Sequence, residues 1–401
     1  MKVLYISYDG MTDPLGQSQV LPYLIGLSKE HQITILSAEK EENIKLLSAE
    51  VKSLLAESNI EWQYIKYTKS PPILSTVKDL WYMFKIARKC CFNSGIQIVH
   101  CRSYIPMMIG LKLKARFNAK LIFDMRGFWV DERIEGKIWN KSFVLHKILY
   151  RYFKAKEVVF LNKADAIIVL TNKAKQIIEN WRVTHTGITI IPCNVDLRHF
   201  TRKRTLDQAA IKTLNLMDRS PILGYLGSLG TWYMIDEMLC FFMEVKKKFE
   251  KSIFLVITKD DPKILLEKSK TLGINLDDIR ITAATRAELP ELLSLFDVSV
   301  FFIQSTFSKQ ASSPTKQAEL LSMGIPIVAN GGVGDSDEYF EQDPQIGILI
   351  NKFSKEEYRR VIAQMNSMLM TDKERIRAVA EEHFDLERGI DMYNKIYNSL
   401  T

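Results

Sequence analysis

The sequence predicts an α/β protein made of two doubly wound domains, each on a parallel sheet. Three observations predict it. Short β-branched and aromatic runs alternate with stretches of helical spacing, which calls for parallel βαβ units. Polar and glycine-bearing residues gather where the strands end, the edge at which open α/β sheets hold ligands. The alternation restarts at Pro221 after a charged stretch, and 401 residues, 47% of them apolar, suffice for two cores.

Lys2–Tyr8 reads as the first strand, followed by a loop, Asp9-Gly10-Met11-Thr12-Asp13-Pro14-Leu15-Gly16-Gln17-Ser18-Gln19, and a helix at Val20–Ser28. The loop suits close approach of backbone to a ligand, and it is equally a good turn. Strands follow at Gln32–Ser37, Glu61–Tyr67, Gln97–His100 and Lys120–Asp124, with helices over about 40–58, 73–93 and 104–117. Two strand ends are polar. One is His100-Cys101-Arg102-Ser103; the other runs from Asp124 through Arg126, Trp129, Asp131 and Glu132 to Arg133. Three carboxylates and two arginines in ten residues are costly in a core. They read as ligand-contacting groups or as a surface salt-bridge network.

Residues 137–156 interleave Lys137, Lys141, Lys147, Arg151, Lys154 and Lys156 with apolar and aromatic side chains, and 73–92 repeats the pattern. A basic amphipathic helix of this kind lies on an anionic membrane or packs its apolar face inward. A strand at 164–171, a helix at 172–181 and Ile188–Phe200 lead to a domain boundary near 196–220, giving domains at 1–200 and 201–386.

The second domain opens with the strand and turn Pro221–Tyr233, where amides at Gly227, Ser228 and Gly230 suit a diphosphate. Further strands at Ile253–Thr258, Arg280–Ala284 and Val298–Ile303 bring Lys259 and Arg286 to strand ends. The stretch Ser312–Asn330 then reads as loop, helix and buried strand, with Ser312, Ser313, Pro314 and Thr315 capping the helix and Gly324 and Pro326 ending it. Free amides, hydroxyls and Lys316 at a helix start bind phosphate. Glu319, a turn further on, is placed to accept both hydrogen bonds of a ribose diol. Phosphate with ribose means nucleotide; an ordinary capped helix is the bland alternative.

Composition sets the remaining bounds. Five cysteines, two of them adjacent, show no metal-ligand spacing and suit a reduced cytoplasmic setting without disulfides. No signal-peptide profile or membrane-spanning run is present. Residues 1–200 hold 29 Lys and Arg against 18 Asp and Glu, a net +11, leaving −3 for the rest. A basic first half faces an anionic partner such as phospholipid or a lipid phosphate; no nucleic-acid motif accompanies it. Neither half carries a dinucleotide glycine fingerprint.

The stretch Ser312–Asn330 resembles the donor-site segment of retaining GT-B glycosyltransferases of the large family numbered four, where Pro-Thr-Lys-x-x-Glu precedes small-Gly-x-Pro. The likeness extends over nearly the whole chain. It implies two Rossmann-like domains facing a cleft, an acceptor-binding domain, a nucleotide-sugar-binding domain and a C-terminal helix at 387–401 crossing back. Carried over, Glu319 meets the ribose, while the family's first glutamate falls on Ala311. Gly16 lies by the donor phosphates and Gln17 by the acceptor. The arginine and lysine common in the Gly227 loop are missing, Ser228 and Trp232 or Tyr233 standing near their places, which leaves Lys316, Lys309, Lys259 or Arg286 as candidates for the cationic clamp. Asp124 and Arg126 fall near the reacting sugar, and His100, Arg102, Trp129, Asp131, Glu132 and Arg133 near the acceptor.

The expectation is a cytoplasmic, retaining hexosyltransferase that moves a sugar from a nucleotide-sugar to a glycan or lipid-linked acceptor. It would act in cell-surface polysaccharide or glycoconjugate synthesis, with peripheral attachment to the inner membrane face as an option. No metal cofactor is expected. The rival is a binding protein that kept the fold and lost the chemistry.

Overall fold

All sheet pairings among the described residues are parallel. A computed structural model describes residues 1–400 apart from 182, 185, 186 and 203–206. The last four fall inside the stretch where the sequence places the domain boundary, so that part of the expectation lies outside the described residues. The chain divides into two units, Met1–Asn194 with Leu386–Thr401, and Val195–Asp385.

The first unit holds seven strands: β1 (Lys2–Ser7), β2 (Gln32–Glu39), β3 (Glu61–Lys66), β4 (Ile98–Arg102), β5 (Lys120–Asp124), β6 (Ala166–Val169) and β7 (Ile188–Ile190). Their order is β3-β2-β1-β4-β5-β6-β7. The order reverses at β1 and β4, where Ser7 stands opposite Arg102. Buried strands such as Val3–Ser7 read as continuous apolar runs because helices cover both faces. The helix Leu386–Ser399, last in sequence, packs on Leu21–Leu27. Contact there is close, for a side chain on Gly26 would collide with Ile390.

The second unit repeats the plan with β8 (Ile222–Leu226), β9 (Ile253–Ile257), β10 (Ile279–Thr282), β11 (Val298–Phe301), β12 (Ile327–Asn330) and β13 (Gly347–Ile350). The order is β10-β9-β8-β11-β12-β13, reversing at β8 and β11. A core running from Leu223 through Phe242 and Phe296 to Ile376 fills both sides of this sheet.

Three local expectations need correction. Residues 13–17 were expected as loop, but Pro14–Gln19 is a helix: Asp13 is extended at its start and Pro14 sets the first helical φ. The basic amphipathic helix begins at Val144, not Lys137, and runs to Lys163. Ahead of it Lys137 has φ 58° and the Ser142 N–H donates to Asn140 Oδ1 at 2.8 Å, a local turn that competes with helix. In the opening of Thr315–Ser322, Pro314 itself is the capping residue, and its side chain offers no cap.

Candidate functional site

The second unit assembles its polar groups at the switch point between β8 and β11. Gly227 follows β8 with φ 137°, a conformation that L side chains rarely adopt. Its amide donates to Ile257 O at 3.0 Å. The turn beyond is tied by Tyr225, whose hydroxyl donates to Ser228 O at 2.5 Å, and by Asp260, which accepts from Leu229 N–H at 2.6 Å.

Lys316 reaches back from the helix Thr315–Ser322 into the space that a side chain on Gly227 would fill. Its ammonium lies 3.4 Å from Tyr225 Oη and 3.6 Å from the centre of the Tyr233 ring. Burial pushes it well below the ordinary lysine range, with Glu319 pulling the other way. Three residues along the same helix, Glu319 is also buried, and burial lifts its carboxyl to about 7 against the pull of Arg286 and Lys316. Arg286 Nη1 stands 3.8 Å from Glu319 Oε1. The arginine is seated over the Phe200 ring at 5.4 Å, and its carbonyl is 2.9 Å from His199 Nε2. Lys309 stacks on Trp232 at 3.9 Å.

The structure therefore brings together Gly227, Ser228, Lys316, Glu319 and Arg286. Ser312, Ser313 and Thr315 are half-buried at the mouth of the same helix, and Ala311 is buried just before them. Lys259 stands exposed beyond β9, and nothing places it against this cluster. Tyr225 was missed in the sequence; the signal was an aromatic side chain inside a glycine-bearing strand end. A buried lysine, a buried carboxylate and an arginine at a strand-end crevice suit a ligand with phosphate and vicinal hydroxyls.

In the first unit the predicted residues are mostly buried. Asp124 receives the Tyr393 hydroxyl at 3.2 Å, with Arg126 at 3.9 Å, Arg102 at 4.0 Å and His100 Nε2 at 3.6 Å, distances longer than hydrogen bonds. Burial pushes Asp124 up, yet Arg126, then His100 and Arg102, outweigh it and hold the carboxyl below its usual range. Burial lowers His100, whose Nδ1 meets Tyr397 Oη at 2.7 Å. This pairing with the C-terminal helix turns His100 inward.

Gly16 is buried in a helix, where the Gly10–Met11 backbone leaves no room for a side chain. Gln17 Nε2 lies 3.5 Å from Thr12 O. The loop ahead of that helix is held by a residue that the sequence reading passed over, Glu39, which accepts from the Met11 and Thr12 amides at 2.6 and 3.1 Å. Its only signal was a carboxylate at the end of an apolar strand. Trp129, Asp131, Glu132 and Arg133 lie on the helix Trp129–Glu135, with Arg133 stacked over Trp129 at 4.7 Å. Both Asp131 oxygens are engaged, by Tyr150 at 2.9 Å and Lys154 at 3.1 Å.

Residues 25–199 match the family model described as Glycosyltransferase Family 4. No curated protein matches the chain. Among solved structures it is similar to HepE of Anabaena in complex with UDP-glucose, at 13% identity and TM-score 0.73 over 100% of both chains. It is similar also to the sucrose-phosphate synthase of Thermosynechococcus elongatus, at 15% identity and TM-score 0.72 over 100% of this chain and 98% of that one. A glycosyltransferase from Rickettsia africae aligns at 16% identity and TM-score 0.67, again over 100% and 98%. What the chain shares with them is the fold, two Rossmann-like α/β domains of GT-B type.

Proposed function

We propose that the protein is a nucleotide-sugar-dependent glycosyltransferase that moves a hexose, with retention, onto a glycan or lipid-linked acceptor. The observation that carries this reading is the placement of Lys316 against Gly227, one helical turn from the Glu319–Arg286 pair. Lys316 and the Gly227–Ser228 turn would hold the diphosphate, with Ser312, Ser313 and Thr315 offering hydroxyls and amides. Glu319 would accept the ribose hydroxyls, held in place by Arg286. Lys259 would serve the phosphates from further out.

In the reaction the bond between the anomeric carbon and the diphosphate breaks and the nucleoside diphosphate leaves with the electron pair. The acceptor oxygen bonds that carbon, and its proton is released. Lys316, buried and short of counter-charge, would meet the charge that develops on the leaving oxygen, the interaction that supplies much of the rate enhancement in such sites. The carboxylate of Asp124, with Arg126, would act near the sugar from the first unit, which would hold the acceptor through Gln17, Arg102, Trp129, Glu132 and Arg133. No metal is assigned a role. Cell-surface glycan synthesis at the cytoplasmic face of the membrane suits the basic first unit.

The test is Glu319→Ala. Turnover should vanish and nucleotide affinity fall while circular dichroism stays native; unchanged affinity by calorimetry overturns the ribose assignment. A second reading, a nucleotide-sugar binder without chemistry, is favoured by Ala311 standing where the family places a glutamate. Labelled nucleotide-sugars separate the two: bound label with no free nucleotide across a panel of acceptors supports the binder.

A further inference from the structure

The helix Val144–Lys163 is anchored from Tyr150 onward. Glu157 and Phe160 are buried, Glu157 takes the Tyr104 hydroxyl and pairs with Lys154, and Tyr150 bonds Asp131. The first half buries nothing. Phe143 is 61% exposed, Val144 70%, Leu145 54% and Ile148 57%. Taking such side chains out of water is favourable; left in water they form an apolar prow.

Its charge is one-sided. From Lys137 to Lys156 the sequence has six Lys and Arg and no Asp or Glu. Lys141, Lys147 and Arg151 are exposed beside the apolar residues, and no described carboxylate pairs with them. We propose that residues 138–152 dock the protein on a bilayer bearing anionic lipid. Phe143, Val144, Leu145 and Ile148 enter the boundary between headgroups and acyl chains, while the basic side chains meet lipid phosphates. Charge selects this occupant: a second copy would set the same positive face against itself, whereas an anionic headgroup layer complements it.

The docking face also touches the residues assigned to the acceptor. Trp129 packs on Trp139 of the docking segment at 5.5 Å and on Phe153, the residue just after it, at 5.1 Å. The inference therefore deepens the transferase reading, on which it rests for its purpose: it makes the acceptor a lipid-linked one, presented at the bilayer surface.

The test is cosedimentation of the full chain with phosphatidylcholine vesicles, with and without phosphatidylglycerol, at low and high salt. Wild type should bind the anionic vesicles and leave them at high salt. L145D/I148D and K147E/R151E should each weaken binding roughly tenfold or more, with nucleotide affinity by calorimetry unchanged because these side chains lie on the exposed surface. Equal retention on neutral vesicles, or variants that bind like wild type, overturns the proposal. So does a lipid-free dimer in sedimentation equilibrium that L145D/I148D dissolves. Vesicle binding without nucleotide binding would instead leave docking standing and sink the transferase reading.

Discussion

The Lys316 ammonium occupies the volume that a side chain on residue 227 would need. The missing side chain at one position thus makes room for a charge from 89 residues further along. Gly227→Ala meets two obstacles, a φ of 137° and the collision with Lys316. Thermal unfolding should show a lower midpoint, and calorimetry with UDP a loss of affinity. Lys316→Met keeps the glycine and the fold. It should lose roughly tenfold to hundredfold in nucleotide affinity, the value of one charge-assisted hydrogen bond to phosphate.

Glu319 gives a stability test with a definite sign. Burial raises its pKa from 4.5 to about 7. Between those values the folded chain keeps a proton that the unfolded chain has lost, so wild type loses stability as pH rises through that window. Glu319→Gln has no such loss. Denaturant titrations should show the variant gaining on wild type between pH 4 and pH 8, by up to about 3 kcal/mol. A gap indifferent to pH would reject the buried, proton-holding carboxyl.

Nucleotide affinity should pass through a maximum with pH. On the acid side, below about 7, protonated Glu319 stops accepting both ribose hydroxyls. On the alkaline side Lys316, pushed below the lysine range by burial, loses its charge unless phosphate restores it. Binding on that side should therefore take up a proton, which calorimetry in buffers of different ionisation enthalpy measures directly.

Asp124 separates a structural from a catalytic role. Its removal leaves Arg102 and Arg126 buried without their carboxylate, and Asp124→Ala should cost about 3–5 kcal/mol in urea unfolding. Tyr393→Phe removes one hydrogen bond to the same oxygen and should cost about 1.5–3 kcal/mol. Because Asp124 is held below its usual range, its contribution is present above its unfolded value of 3.8 and disappears as pH falls through the folded one.

The parallel architecture was legible because buried strands and their covering helices write different periods into the chain, as Val3–Ser7 and Ile253–Ile257 do. The helix Thr315–Ser322 was legible too, since the proline ahead of it and the Gly324–Pro326 stop behind it are local features. What the sequence left out is pairing at a distance. His100 with Tyr397 and Asp124 with Tyr393 join residues nearly three hundred apart, and spacing reports which face is buried, not what it meets. The helix at Pro14–Gln19 was hidden for another reason: Asp-Pro-Leu-Gly suits a turn and a helix start equally. The exposed Phe143–Ile148 face was masked by its own periodicity, which is that of a packed helix.

The backbone at the two ends of the second unit is stitched together. Val195 N–H donates to Phe384 O at 2.8 Å, and Val195 bridges Asp385. A module that enters and leaves at one point is portable: residues 195–385 begin and end side by side, so the segment can be exchanged as one piece.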